Sequence, residues 1–479
     1  MKRLFKAILF ANIFFYICTS ISSDPLLPGG KTSNEVENKN SFSLVARNLG
    51  DNLKINFLVG NALFERIWED AKFSENIARD GLGPFFSARS CEACHISDGR
   101  GHLPIDESDD AVSVVIQISK NQDSISDGIK NLPDPIYGNQ ISEFSVESIP
   151  READIVINYE YVPISYNDGR IVELRKPVIK IRNFNYGDIN QDTNFSARIA
   201  QPMIGLGLIE NISETDILIN ADVKDINGDG ISGKANIVWH NEKNDYSLGR
   251  FGWKASQPTV YQQTADAFFH DMGLSNKLFE NPFNCTDVQL SCQNAVSGNS
   301  ESYDGYEVSN DQLDLVVFYS SQLGVPVRRN AKDINVVKGK EIFFKIGCNS
   351  CHTERFVTKN ESMHQNLANQ IIYPYSDFLL HDMGEQLSDG VNEFNASGSE
   401  WRTPPLWGIG LTSVVSAEYG FLHDGRARTI EEAILWHGGE ASRVLEEFKS
   451  LDKNQVNQLI SFINSCLLYT SDAADEGLG

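Results

Sequence analysis

Apolar residues recur at helical spacing at several points of the chain, in particular before each of two short Cys-rich motifs. A helix over about residues 57–68 is predicted before the first motif, and a helix from Val336 before the second. Their predicted inward residues are Leu63, Phe64 and Ile67, and Val336, Val337, Ile342 and Phe343. Gly339 allows close approach of another helix, and the last helix, around Val456 to Ile463, is the expected partner.

Between the two motifs the pattern changes to that of strands. Residues 112–118, reading VSVVIQI, are dense in β-branched residues. Further on, apolar runs flank the turn Asn167-Asp168-Gly169, which is a strong hairpin signal. We therefore expect a mainly α protein with a β-rich insertion in its first half.

The two ends of the chain differ from the rest. Basic residues, then an apolar run, then small residues give residues 1–22 the order of a secretory signal peptide. The apolar run is too short to span a bilayer, so we expect a periplasmic mature chain without a transmembrane segment. Residues 23–41 are predicted to be a flexible leader, and residues 466–479 a non-native tail.

Length and internal similarity predict two units. A chain of 479 residues exceeds the size of one comfortable core, and we place the boundary between domains 42–330 and 331–465. A segment from Gly249 parallels one from Ser399, with Trp253 and Trp401 as matching positions, which predicts a duplication.

The formal net charge of −24 argues against nucleic acid as a partner, because phosphate binding requires clustered Lys and Arg. Two interpretations of the acidity remain. It keeps an exported protein soluble, or it steers a basic partner protein.

Two CxxCH motifs carry the main chemical signal. In such a motif the two thiols add across the vinyl groups of a haem, and the adjacent His ligates the iron. A single motif arises by chance or binds zinc, but two in an exported chain, each after an amphipathic helix, predict two covalently bound haem c groups in two cytochrome c-like domains. The motifs are Cys91, Cys94 and His95, and Cys348, Cys351 and His352.

A sixth iron ligand is predicted for the second haem only. Thr429 and Glu432 form a capping box that starts a short helix, and His437 falls on the apolar face of that helix. We predict that His437 ligates the second iron, which would make that haem low-spin. For the first haem an open position, to which peroxide or oxygen could bind, competes with three weaker candidates, His102, His270 and Met272.

Two local features concern structural stabilisation. Asp225, Asn227 and Asp229 follow the first half of a calcium loop, and both a structural calcium ion and a metal-free Asx turn fit this pattern. Cys285 and Cys292 are close in sequence, and in an oxidising compartment they predict a small disulfide loop.

Six segments in order resemble the di-haem cytochrome c peroxidase superfamily, and in particular its branch of di-haem thiol oxidoreductases. The resemblance covers about residues 42–465. The segments are DGLGPFFSARSCEACHISDGRG from Asp80, QPMIGLGLIE from Gln201, NGDGISG from Asn227, LLHDMG from Leu379, EWRTPPLWGIG from Glu400 and FLHDGRARTIEEAILWHGG from Phe421.

The resemblance implies a di-haem oxidoreductase of peroxidase type. One haem would store electrons from a small redox protein or another donor, and the other would reduce peroxide or oxidise a small-molecule substrate. Relatives usually have Met where this chain has His437, and their acid–base carboxylate falls near Glu210. The alternative for Glu210 is a surface residue at a helix start. A non-catalytic electron-transfer cytochrome and a haem dioxygenase are the alternative functions.

Covalent attachment can be tested by mass spectrometry of the denatured, matured protein. Thioether bonds survive denaturation, so the chain is expected to carry the mass of two haems, and a Cys348→Ala/Cys351→Ala variant the mass of one. A denatured wild-type chain without either addition would contradict the prediction.

Overall fold

The computed structural model describes residues 26–104, 112–120 and 129–465. The predicted signal peptide, the first three residues of the predicted leader and the predicted tail lie outside the described residues. Within these ranges, no helix combines the length and the apolar character needed to cross a membrane.

Helices account for 29% and strands for 19% of the structure, so the expectation of a mainly α protein is wrong. The α-helices of the described residues are α1 (Lys54–Phe64), α2 (Cys91–Cys94), α3 (Leu206–Glu210), α4 (Glu214–Leu218), α5 (Val260–Met272), α6 (Leu290–Gln293), α7 (Asn310–Ser321), α8 (Ile334–Ile346), α9 (Thr412–Val415), α10 (Ile430–Leu435), α11 (Ser442–Lys449) and α12 (Lys453–Asn464). The strands are β1 (Phe85–Phe86), β2 (Val114–Lys120), β3 (Gln140–Ile141), β4 (Phe144–Ser145), β5 (Asp154–Ser165), β6 (Ile171–Arg182), β7 (Thr193–Ile199), β8 (Ile237–His240), β9 (Asp245–Leu248), β10 (Phe356–Val357), β11 (Ile371–Ile372), β12 (Leu380–Asp382) and β13 (Glu400–Arg402).

The fold class was mispredicted for a physical reason. Many strands are two to four residues long and pair with a partner far away in sequence, as β1 does with β4 and β12 with β13. Such short strands carry no periodicity of their own. The long elements did follow their pattern: β2 contains most of the predicted strand, and β5 pairs with β6 around the predicted turn.

Each half contains a close helix crossing that depends on a glycine. In the first half α1 crosses α7, and a Cβ on Gly60 would lie 2.2 Å from the Leu315 carbonyl oxygen. In the second half α8 crosses α12, and a Cβ on Gly339 would lie 1.9 Å from the Gln458 carbonyl oxygen. The predicted packing of Gly339 against the last helix is confirmed.

The prediction that Ile67 and Val337 point inward is wrong. Ile67 lies beyond the end of α1 with 57% of its surface exposed, and Val337 of α8 is 41% exposed. The helix α1 ends at Phe64, so the spacing that suggested Ile67 no longer applies after that residue.

The hairpin of β5 and β6 contacts the second half of the chain. The Tyr166 hydroxyl donates to the Glu431 carboxylate at 2.6 Å, and the Asn167 amide donates to the Lys449 carbonyl at 3.1 Å. Leu174 belongs to the same hydrophobic core as α8, α10 and α12. The β insertion therefore joins the two halves, and the division into domains 42–330 and 331–465 stays a prediction.

The crossing at Gly339 can be tested by adding one methyl group. Gly339→Ala is expected to lower the free energy of unfolding by about 1–3 kcal/mol, because backbone must move although alanine favours a helix. Denaturant unfolding measures this, with Lys338→Ala on the exposed side of α8 as the control. Equal or greater stability of Gly339→Ala would contradict the close approach.

Candidate functional site

Two large cavities lie at the two CxxCH motifs. The space between their walls, including the part that is open to solvent, is about 1770 Å³ and about 1350 Å³. We call them the first and the second cavity. The first is lined by Cys91, Cys94 and His95, and the second by Cys348, Cys351 and His352.

Each motif histidine has one ring nitrogen hydrogen-bonded to a backbone carbonyl and the other available to bind a metal. The Nδ1 atom of His95 lies 2.7 Å from the Gln201 carbonyl oxygen, and that of His352 lies 2.9 Å from the Tyr375 carbonyl oxygen. A carbonyl only accepts, so Nδ1 carries the proton and Nε2 keeps its lone pair. Burial lowers the pKa of each imidazole to about 4, which keeps both neutral at physiological pH.

The four motif thiols face the cavities without forming disulfides. Burial raises the pKa of Cys91 and of Cys348 to about 12, so both remain protonated. Neutral thiols beside a large cavity suit thioether attachment of a cofactor.

The second cavity also receives His437. Its Nδ1 atom lies 2.8 Å from the Ala433 carbonyl oxygen, which again leaves Nε2 as a ligand atom. A positive charge on His437 would lower the pKa of His352, and this effect acts only over a short distance. The two imidazoles therefore lie near each other. The structure therefore brings His352 and His437 together in one cavity.

Two other histidines line the second cavity but are engaged elsewhere. His381 lies with one ring nitrogen 2.8 Å from Asp377 and the other 2.7 Å from Glu440, and these carboxylates raise its pKa. A charged imidazole has no lone pair for a metal. His423 stacks flat on Trp401, with ring centroids 3.7 Å apart.

The segments that line the two cavities begin in the same way. In the first half an antiparallel bridge joins Phe251 to Gln257, and in the second half the same bridge joins Phe421 to Ala427. The α5 helix then continues to Met272, whereas α10 ends at Leu435, two residues before His437. The lining residues that follow the bridges have identical spacing: Val260, Gln263, Thr264 and Ala267 in the first cavity, and Ile430, Ala433, Ile434 and His437 in the second. Ala267 thus stands at the position of His437.

Local geometry supports this equivalence. Thr259 caps α5 by accepting from the Gln262 amide, and Thr429 caps α10 by accepting from the Glu432 amide, both at 3.1 Å. The backbone is left-handed at matching places before the caps, at Gly252 and Ala255 and at Leu422 and Gly425. Trp253 consequently matches His423. The predicted match of Trp253 with Trp401 is wrong, because the sequence comparison aligned side chains that occupy different turns.

Only one of the three weaker ligand candidates for the first haem lines the first cavity. Met272 does so from the last residue of α5. His270 lines a neighbouring polar cavity, and the Nδ1 atom of His102 lies 2.9 Å from the Leu103 carbonyl oxygen, away from the lining. At the position of His437, the first cavity has only the methyl group of Ala267.

Four residues line both cavities: Arg100, Trp253, Arg402 and Pro404. Arg100 is 4% exposed, and its Nε atom has no hydrogen-bond partner among the described residues, while its guanidinium carbon lies 5.6 Å from the centroid of the Phe421 ring. Burial lowers its pKa to about 10, so it stays charged. A buried cation without an anionic partner is costly, so this position suits an anionic group. The carboxylate side chains of a haem would fit this position.

Glu210 lies at the end of α3, and it is not among the residues that line the first cavity. Its Oε1 atom accepts from the Val260 amide at 2.9 Å, at the N-terminus of α5, and burial raises its pKa. The carboxylates that do line this cavity are Asp266 and Asp271, which the sequence did not single out. A catalytic role of Glu210 stays a prediction.

The predicted calcium loop is held by its own backbone. The Gly230 amide donates to Asp225 at 3.2 Å, and the Asp229 amide donates to Asn227 at 2.9 Å. In the part of the chain that the structure describes, no group of three or more His, Cys, Asp and Glu side chains is arranged to hold a metal ion. Calcium binding at Asp225, Asn227 and Asp229 stays a prediction.

Cys285 and Cys292 form a disulfide, with their Cα atoms 6.0 Å apart. Cys292 belongs to α6 and is fully buried beside the core of the first half. The bond thus fixes this loop to the half that contains the first cavity.

Comparison with known proteins agrees with the two cavities. A family model with the description "Di-haem oxidoreductase, putative peroxidase" matches residues 27–466. No curated protein and no solved structure matches the chain. The match includes both CxxCH motifs and every helix that lines the cavities, and it confirms the resemblance seen in the sequence.

The role of His437 can be tested by absorbance spectroscopy. His437→Ala removes the second imidazole, so the second haem is expected to change from low-spin to high-spin. His364→Ala, which lies outside both cavities, serves as the control. An unchanged spectrum of His437→Ala would exclude His437 as a ligand.

Proposed function

Since the chain belongs to the family of di-haem oxidoreductases, we propose that it is a periplasmic peroxidase that reduces peroxide at the haem of the first cavity. Electrons would enter from a small redox protein or another donor through the haem of the second cavity. The haems, covalently bound at the CxxCH motifs, supply one-electron chemistry at their irons. His95 and His352 would hold these irons from the proximal side.

The observation that carries the proposal is the difference at one position of the two matched lining segments. Where the second cavity has the imidazole of His437, the first has the methyl group of Ala267. A peroxidase requires an iron with a free position, and a pure electron carrier does not. The difference between the two helices favours the peroxidase.

The second cavity suits electron storage and transfer. His352 and His437 would both hold the iron of this haem, so no ligand position would remain for a substrate. Two imidazoles give a lower potential than an imidazole with a thioether. The donor must therefore be a stronger reductant than one suited to a Met-ligated haem.

Residues shared by both cavities support electron transfer between them. Trp253 lines both cavities, and its indole is fixed by a hydrogen bond from Nε1 to the Ile199 carbonyl oxygen at 2.9 Å. A fixed aromatic ring that lines both cavities would lie on a path for electrons between them. Arg100 would neutralise an anionic haem side chain at the same place.

The proposal can be tested by transplanting the ligand. Ala267→His places an imidazole where His437 stands in the other half, so the first haem is expected to become low-spin and to stop responding to cyanide. Peroxide turnover is expected to fall about tenfold if the imidazole occupies the iron in about nine of ten molecules.

Ala267→Ser is the matched control, because it changes the same position without adding a strong ligand. Full peroxide turnover by Ala267→His with a low-spin first haem would contradict the assignment of the site. A wild-type protein that does not turn over peroxide would contradict the proposed function itself.

A further inference from the structure

The lining helix of the first cavity differs from its counterpart at more than the ligand position. Gln263 replaces Ala433 and Thr264 replaces Ile434, and Asp271 lies one turn beyond Ala267 on α5, where α10 has already ended at Leu435. These residues add polar groups to the wall of the first cavity. Asp271 is the one of the three that can carry a proton.

We propose that Asp271 is the acid–base residue of the first cavity, exchanging a proton with the peroxide bound there. This inference rests on the proposed function. It assigns the role to a carboxylate that lines the cavity, in place of Glu210, which supports the N-terminus of α5 from outside the lining.

The carboxylate of Asp271 is held by one hydrogen bond. Its Oδ1 atom accepts from Gln140 Nε2 at 3.0 Å, and the same amide group lies 3.1 Å from Ser87 Oγ. The second oxygen of Asp271 has no hydrogen-bond partner among the described residues, so it is available to a molecule in the cavity. The charge of Asp271 also raises the pKa of Cys91 and Cys94, which places it near the haem attachment point.

Asp266 is the other carboxylate on this wall, and it is already paired. Its Oδ1 atom lies 3.2 Å from His270 Nδ1, and the charges of His270 and Lys130 lower its pKa to about 2. A group with such a low pKa stays ionised and does not carry protons near neutral pH.

The pKa of Asp271 is shifted in the opposite direction. Burial raises its pKa to about 6; the charge of Asp266 adds to this, while Gln140, His270 and Lys130 oppose it. Both protonation states are therefore populated near neutral pH, which is what a residue that alternately accepts and donates a proton needs.

The proposed step accounts for every proton and electron. The Asp271 carboxylate accepts the proton of one peroxide oxygen and donates it to the other oxygen, which leaves as water when the O–O bond breaks. The donor protein supplies the two electrons that bond cleavage consumes. Two protons from solvent complete the second water and restore the starting state.

Solvent protons have a route to this position. The polar cavity next to the first cavity shares with it Gln117, Lys130, Gln140, Ser256, Gln257 and Asp266. Gln140, which holds Asp271, therefore lies on the boundary between the two spaces. Asp271 can exchange its proton without passage through the apolar part of the haem cavity.

The test combines turnover with cyanide binding. Asp271→Asn is expected to reduce peroxide turnover about 100-fold. Hydrogen cyanide must give up a proton when it binds iron, so wild-type affinity is expected to fall as the pH drops through about 6, where Asp271 becomes protonated. In Asp271→Asn this inflection should vanish, with affinity at pH 7 about tenfold weaker than wild type.

Three further variants complete the design. Asp271→Glu keeps the carboxylate and should restore part of the turnover and the pH inflection, which excludes a mere folding defect. Asp216→Asn, on the exposed face of α4, is the matched control. If Glu210→Gln shows the losses while Asp271→Asn keeps both properties, the inference is overturned.

The outcomes separate this inference from the function it rests on. A wild-type protein with an Asp271-dependent cyanide titration but no peroxide turnover contradicts the peroxidase and retains Asp271 as the proton-exchanging group. Peroxide turnover that Asp271→Asn leaves intact contradicts Asp271 and retains the peroxidase.

Discussion

The chemistry of this protein depends on one constraint, which is the fixed register of a short helix over each cavity. A threonine cap and two left-handed residues before it determine where each helix starts, and the start determines which side chain faces the cofactor. These features recur in both halves, although α5 continues to Met272 whereas α10 ends at Leu435. Under the proposed function, the pair Ala267 and His437 would decide which cavity holds a substrate next to its iron.

The residues at the matched positions also explain why the two cavities suit different roles. Around the second cavity the matched positions are apolar or ligating, which suits an iron closed to solvent. Around the first, two of them are the polar residues Gln263 and Thr264, and Asp271 follows on the same helix beside a second, polar cavity. Trp253 and Arg100 line both spaces, and the β5–β6 hairpin of the first half packs on the core of the second. The two halves thus form one functional unit.

Features that depend only on neighbouring residues could be predicted from the sequence. The CxxCH motifs, the turn at Asn167-Asp168-Gly169 and the short helix α10, which ends at Leu435 just before His437, each depend on a few neighbouring residues. Their local chemistry sets their geometry, as the hairpin register shows. The close packing at Gly339 was also predictable, because a glycine on the apolar face of a helix leaves room for the backbone of a second helix.

Features that depend on tertiary contacts could not be predicted. The short strands that overturned the mainly α assignment form only when distant segments meet. The match of Ala267 with His437 was hidden because the sequence comparison aligned Trp253 with Trp401, whereas the fold aligns it with His423. The missing hydrogen-bond partner of the buried Arg100 Nε atom is visible only once its surroundings are known.

The most direct test of this account is the spin state of the two haems in the purified, oxidised wild-type protein, measured by electron paramagnetic resonance. We predict one high-spin haem, whose signal is lost on addition of cyanide, and one low-spin haem that does not respond. Two low-spin haems that both ignore cyanide would contradict the account.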